Sequence, residues 1–465
     1  MDCKEEVAYM LERIHIFHTN DLHSHFKYWP RMQHFVKSKR AEFATYNETS
    51  FLFDVGDHLD RSNIYTDATV GKGNVTLLNE ANYDVVTLGN NEGITFSHEE
   101  LYHLYDDANF NVVLANLQSA DGINPAWMKP YVILTTEHGT KIAVIAATAM
   151  FEVFYKELAW EIDDPRSTLI RLALQLRKEA DIVVCLSHLG ISEDELLAEE
   201  CPEIDVIFGS HTHHILPNGK LINGVLLTGG GKFGQYTGHL VFEYDKDIGK
   251  VVGKTDYLIR NEDLPAIEGE ETFLSALDQV GEQLLNLPAF TTPKAYNKEW
   301  FHYSQLSNLF AEAILEKSGA DCALFNAGIF LDGLPKGIVT VLDLHKIFPH
   351  PINLCTIELT AVELKEILLQ SKNEEWPLIE LKGLGFRGVI FGKMLLYGFS
   401  MNEHRQLLIN GEIADVTRSY KLVTLDLFTF GYFYPSFKYA KKKYILPDFL
   451  RNIMVDYGRK VFKSM

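Results

Sequence analysis

Seven side chains able to hold a metal ion stand just past short apolar runs in the first half of the chain. Ile14-His15-Ile16-Phe17 leads to Asp21 and His23, and Phe51-Leu52-Phe53 leads to Asp54. Asp84-Val85-Val86-Thr87-Leu88 leads to Asn90, and Ile182-Val183-Val184-Cys185-Leu186 leads to His188. Val206-Ile207-Phe208 leads to His211 and His213. Nitrogen and oxygen donors in this number are too many for one ion and suit two. Two divalent cations about 3.5–4 Å apart can hold a hydroxide between them and clamp the oxygens of an in-line displacement. That arrangement needs a bridging carboxylate, and Asp54, alone after its run, is the expected bridge. Asp21 and His23 can face one ion from an extended segment, and His211 and His213 can be split between the ions. His188 and Asn90 complete the second. Imidazole mixed with carboxylate and amide oxygen suits Mn, Zn, Fe, Co or Ni better than Ca. Any one of the 18 histidines defaults to a structural role; agreement with successive strand ends is what lifts these above that default.

The runs are rich in Val, Ile and Phe and separated by helical stretches, so they read as buried strands of an α/β core. Ligands at the carboxyl ends of such strands converge on one edge, where open α/β sheets place their sites. Helices are expected over Arg31 to Phe43, Ser97 to Asp107 and Ser167 to Ala180, the second opened by a Ser97/Glu100 capping box. Gly229 to Gly238 reads as a loop at the site edge rather than a dinucleotide cradle, because no strand–GxGxxG–helix context surrounds it. At 465 residues the chain suggests two domains. The expected division is residues 1–265 for the metal domain, 266–300 for a linking region and 301–465 for a second domain. An amphipathic helix from Phe273 to Leu285 falls in the linking region, and Thr360 with Glu363 opens a helix in the second half.

Composition narrows the function. A net charge of −20 disfavours nucleic-acid polymers and anionic membranes but not a small phosphorylated molecule beside bound cations. The five cysteines are scattered and show no C-x-x-C spacing, against a disulfide framework or a thiolate zinc site. The N-terminal Met1-Asp2-Cys3-Lys4-Glu5-Glu6 leads to no apolar segment, and the expectation is a cytoplasmic protein whose oligomeric state is open.

Asp21-Leu22-His23, Gly56-Asp57 after Asp54, Gly89-Asn90, Ser187-His188 and Gly209-Ser210-His211-Thr212-His213 resemble the calcineurin-like metallophosphoesterases, and more narrowly the two-domain 5′-nucleotidases. In the second half, Phe325-Asn326-Ala327-Gly328, Pro335-Lys336-Gly337, Phe348-Pro349 and Glu358 to Leu364 resemble that family's C-terminal substrate domain. The resemblance implies a four-layer α/β/β/α sandwich followed by a smaller α/β domain. It implies a first ion on Asp21, His23, Asp54 and His213, and a second on Asp54, Asn90, His188 and His211. The second domain would supply two aromatics that sandwich a nucleobase, and arginines.

Three departures qualify that picture. Asn90-Asn91-Glu92 stands where the family has Asn-His-Asp or Asn-His-Glu. Losing a general acid costs about 10²–10⁴-fold in rate, so Asn91 and Glu92 become the catalytic candidates, Glu92 as a replacement acid or as an orienting carboxylate. The arginine expected after the Asn326 loop is missing, with Arg387 as the possible substitute. The C-terminal glycine-rich pattern is replaced by Gly431-Tyr432-Phe433-Tyr434-Pro435. Phe386 is the candidate for one face of the base, and Tyr432, Phe433 or Tyr434 for the other, against an ordinary core role. The resulting expectation is a dinuclear hydrolase of nucleotides or nucleotide-like phosphate esters. A phosphodiesterase of cyclic nucleotides, a hydrolase of pyrophosphate bonds and a catalytically weakened nucleotide-binding protein stand as alternatives.

Overall fold

Parallel strands buried on both faces place every donor run of the first half at one edge. The computed structural model describes residues 11–381 and 383–462; the charged Met1 to Glu6 segment lies outside them. The chain divides into two compact units between Gln279 and Val280.

The first unit holds two large sheets and a small one pairing Leu117–Ser119 with Trp160–Ile162. One large sheet runs in the order Lys250–Arg260, Tyr236–Asp245, Leu11–Thr19, Thr49–Asp54, Val85–Val86, Asn111–Val113, Met128–Lys129. The other runs Lys220–Ile222, Val225–Thr228, Val206–Gly209, Ile182–His188, Lys141–Thr148, Tyr131–Thr135. Leu11–Thr19, Thr49–Asp54 and Val85–Val86 pair in parallel, as do Lys141–Thr148, Ile182–His188 and Val206–Gly209.

Side chains alternate along each strand, and both faces find apolar partners, which is why the runs are continuous rather than alternating. Ile182, Val184 and Leu186 meet Ile14, Ile16 and Phe53 between the sheets. Val183 and Cys185 turn outward against Leu169, Leu172 and Leu197 of two covering helices, Pro165–Leu176 and Ile191–Glu200. On the far side Phe17 and Leu52 are covered by Trp29, Met32 and Val36 of the helix Trp29–Thr45. The layers are therefore helix, sheet, sheet, helix. The Ser97/Glu100 capping box forms, although its helix is one turn, His98–Tyr102.

The stretch expected to link the domains is regular structure. It carries the helix Glu270–Leu285 and the strand Pro288–Thr292. The reason is apolar burial: Phe273, Leu274 and Leu277 pack on the cluster containing Phe17 and Trp29.

The second unit is built on a five-stranded sheet, ordered Met394–Tyr397, Cys322–Asn326, Ser419–Leu425, Asn353–Thr360, Lys442–Phe449. Helix Ala361–Gln370 opens on the Thr360/Glu363 capping box. Asp426, just past Ser419–Leu425, is buried and accepts the Asn353 N–H at 2.9 Å. Burial pushes its carboxyl up to about 7, against about 3.9 in an unfolded chain. Between those values the folded protein holds a proton that the unfolded chain has lost, so stability falls as pH rises through the window. Urea midpoints at pH 5 and pH 8 should show this drop in the wild type and a smaller one in Asp426→Asn; equal drops would contradict the assignment.

Candidate active site

The loops after these strands bring two overlapping groups of donors together. Asp21, His23 and His213 form one, and Asp21, Asp57 and His188 the other, each with ligand atoms within 4.8 Å of one another. Asp21 is fully buried, with one carboxylate oxygen 3.4 Å from His213 Nε2 and 3.8 Å from His23 Nε2. Its other oxygen accepts from Ser210 Oγ and Asn20 Nδ2, each at 2.6 Å. Asp57 lies with one oxygen 3.3 Å from His188 Nε2 and the other 3.8 Å from His23 Nε2. His211 sits beside His188, ring centroids 5.3 Å apart.

Asp21 is common to both groups and Asp57 joins the second, whereas Asp54, the expected bridge, belongs to neither. Asp54 accepts from Thr19 Oγ1 at 2.6 Å and from the Gly56 N–H at 3.0 Å, so its oxygens hold the strand end. A strand's last residue still points along the sheet's side-chain alternation; only the turn beyond it swings a carboxylate over the edge. Two glycines make that turn possible. A Cβ on Gly56, which has φ +85°, would lie 2.4 Å from the Gly89 nitrogen. One on Gly89 would lie 2.0 Å from the Asp57 carboxylate. The Gly-Asp and Gly-Asn pairs were the signal available in the sequence for Asp57.

Backbone strain concentrates here. Asp21, His23, Asp57, His211 and His213 all have φ between +48° and +71°. Such conformations cost about 1–3 kcal/mol each outside glycine and persist where the surroundings enforce them.

The donor chemistry fits divalent cations. His188 is oriented by a 2.8 Å bond from Nδ1 to the Val55 carbonyl, which directs Nε2 toward Asp57. Asn90 Oδ1 is buried with no hydrogen-bond partner, and the buried His188 Nε2 faces the Asp57 carboxylate. Burial opposes charge on both Asp57 and His188, yet each holds the other ionised: Asp57 stays well below the usual carboxylate range and His188 rises to about 10. The pair shares a proton where a cation could sit. Burial keeps His23 low, and burial with the His188 charge holds His211 down to about 4, so both rings are neutral and able to ligate.

Neither candidate for the missing acid faces outward. Asn91 Nδ2 donates to the Leu59 carbonyl at 3.1 Å and lies 2.9 Å from His23 Nδ1. Its backbone N–H donates to Asp57 at 2.8 Å. Asn91 therefore holds ligands in place. Asn91→Ala should weaken Mn²⁺ binding about 10–100-fold, the usual cost of losing a group that orients a ligand; calorimetric titration measures it, and unchanged affinity would refute it. Glu92, expected as a replacement acid, is fully buried and accepts the N–H groups of Asp57 at 3.0 Å, Leu59 at 2.9 Å and Gly89 at 2.9 Å. Burial and the Asp57 charge push its carboxyl up to about 8, while these donors pull it down. With both oxygens taken by backbone, it positions the two loops.

The substrate residues expected in the second unit are mostly its core. Phe386 is 3% exposed and stacks on His350 at 5.3 Å. Phe433 is 4% exposed and stacks on Phe391 at 4.4 Å. Tyr434 is fully buried and bonded through its hydroxyl to Ser371 Oγ at 2.7 Å. Asn326 is buried and donates to the Phe391 carbonyl at 2.7 Å. Arg387 is half-buried, with Nη1 donating to the Phe386 carbonyl at 3.2 Å. Tyr432, 69% exposed, alone among the proposed rings presents a face. The aromatic enrichment of this segment serves apolar packing at Phe386, Phe433 and Tyr434.

Residues 14–214 match the family model for calcineurin-like phosphoesterases, and residues 285–431 that for the 5′-nucleotidase C-terminal domain. The uncharacterized metallophosphoesterase YunD of Bacillus subtilis (strain 168) is 38% identical over 456 residues, covering 96% of this chain and 99% of its own. Among solved structures, a putative 5′-nucleotidase from Staphylococcus aureus superposes with a TM-score of 0.69 at 18% identity, over 98% of both chains. The NAD nucleotidase NadN of Haemophilus influenzae gives 0.66 at 16%, again over 98% of both.

Proposed function

This chain belongs to the calcineurin-like phosphoesterases with a 5′-nucleotidase C-terminal domain, a family of metal-dependent hydrolases, and on that premise we propose that it cleaves phosphate esters of nucleotides or nucleotide-like compounds. Asp21, His23, Asp57, Asn90, His188, His211 and His213 would hold two divalent ions. When bound, such ions activate water and neutralise charge on the phosphoryl oxygens. Asp57 and His188 carry the reading: a buried carboxylate 3.3 Å from a ring nitrogen whose orientation the Val55 carbonyl fixes forms a preorganised ligand pair.

The remaining side chains set geometry. Ser210 and Asn20 fix one oxygen of Asp21 and leave the other toward the histidines. Val55 fixes the His188 ring, and Asn91 fixes His23 and Asp57. Water's oxygen forms the new bond to phosphorus, the ester P–O bond breaks, and its electron pair leaves on the alcohol oxygen.

That alcohol receives no proton from Asn91 or Glu92, both tied inward, which favours leaving groups that need little protonation: pyrophosphate bonds, aryl esters and phosphodiesters with acidic leaving groups. The test is the Mn²⁺-loaded protein against nucleoside monophosphates, dinucleotides, cyclic nucleotides and aryl esters, with Asp57→Asn as the blank. Turnover absent from the blank supports the proposal. No turnover on any of them with two ions bound would replace it with a nucleotide-binding role.

A further inference from the structure

The strand Lys141–Thr148 lies beside Ile182–His188 in parallel register, with Thr148 opposite His188. The residues that follow therefore emerge alongside a metal donor. After buried Ala149, Met150 is 48% exposed and Val153 51% exposed, with Phe151 partly buried and the exposed carboxylate of Glu152 between Phe151 and Val153. Phe154 and Tyr155 of the same turn are buried instead, and both donate their N–H groups to the Phe151 carbonyl, which fixes the turn. Phe151 meets His211 edge to face, centroids 6.1 Å apart at 75°.

An apolar patch left in water beside a polar donor group marks a binding surface. The opposite end of the donor group has an aromatic too, Phe233, whose centroid is 5.7 Å from that of His23. Its ring is already covered, by His25 stacked at 3.8 Å and by the Lys232 ammonium at 4.7 Å. The Met150–Val153 side thus offers the more open apolar surface.

We propose that Met150, Phe151 and Val153 form the leaving-group subsite, a shelf that packs against the alcohol part of the ester and prefers flat, apolar alcohols of the phenol class. The inference rests on the hydrolase reading above and deepens it. Aryl alcohols are acidic and depart without a proton donor, which agrees with the inward placement of Asn91 and Glu92. Phe386, Phe433 and Tyr434 are spent on the core of the second unit.

The experiment uses Phe151→Ala in the full-length, Mn²⁺-loaded protein. Calorimetry with phenylphosphonate and methylphosphonate reads the subsite without turnover. Phenylphosphonate binding should weaken about 10-fold, as for loss of one aromatic packing partner, with methylphosphonate and metal content unchanged. KM for phenyl phosphate should rise in parallel, with kcat within about 2-fold. Equal loss on both phosphonates would overturn the proposal, since it would mean that Phe151 merely supports His211. So would loss on neither, or a selective loss in Tyr432→Ala in its place. If phenylphosphonate discriminates as expected but no ester is hydrolysed, the subsite stands and the hydrolase reading falls; if esters are hydrolysed and the variant ratio is one, the reverse holds.

Discussion

Asp57→Asn should lower metal-dependent turnover about 10²–10³-fold, the range for removing one preorganised polar group from a reaction centre. It should also reduce bound Mn²⁺ from two ions per chain to one or none. Asp57 lies between His188 at 3.3 Å and His23 at 3.8 Å, next to Asp21, which both donor groups share. An amide has the same shape but carries no charge and offers a single acceptor. Asp54→Asn gives the contrast. Asp54 supports the turn through Thr19 and Gly56, and its loss should cost about 10–100-fold, in line with other groups that orient ligands. Elemental analysis with steady-state kinetics on both variants separates the two carboxylates; an Asp54 effect exceeding the Asp57 effect would return the bridge to Asp54.

The confusion between those two residues shows where a sequence is legible. Strand runs declare themselves because burial on both faces demands unbroken Val, Ile and Phe, and the layered fold follows. Capping boxes at Ser97 and Thr360 are equally local and equally readable. Which of two aspartates three residues apart crosses the sheet edge depends on a turn, and that turn exists because Gly56 and Gly89 pass within a backbone's width of each other. Spacing alone does not contain that approach; the Gly-Asp pair hints at it. The aromatic segment after Gly431 failed for another reason. Hydrophobic rings read alike whether they face a ligand or a core, and only packing against Trp376, Phe391 and Ser371 decides between them.

Glu92→Gln tests the other reassignment, and its effect should appear in stability. The carboxylate reaches from the helix Asn90–Thr95 to two loops, with one oxygen accepting from Asp57 and Gly89 and the other from Leu59. Glutamine can satisfy one side only. Whichever way the amide turns, its NH₂ group faces at least one backbone N–H with no acceptor between them. A buried donor left unsatisfied costs about 1–3 kcal/mol, so a loss near the top of that range is expected in metal-free urea unfolding. The three converging donors pull the carboxyl down against burial and the Asp57 charge, which still hold it up to about 8. Because the same bonds hold Asp57 and Gly89, Mn²⁺ affinity should fall together with stability. If Glu92→Gln instead leaves stability and metal binding intact while turnover drops, the carboxyl is a proton donor to the leaving group after all. The coupling of the two losses is what distinguishes a brace between loops from an acid.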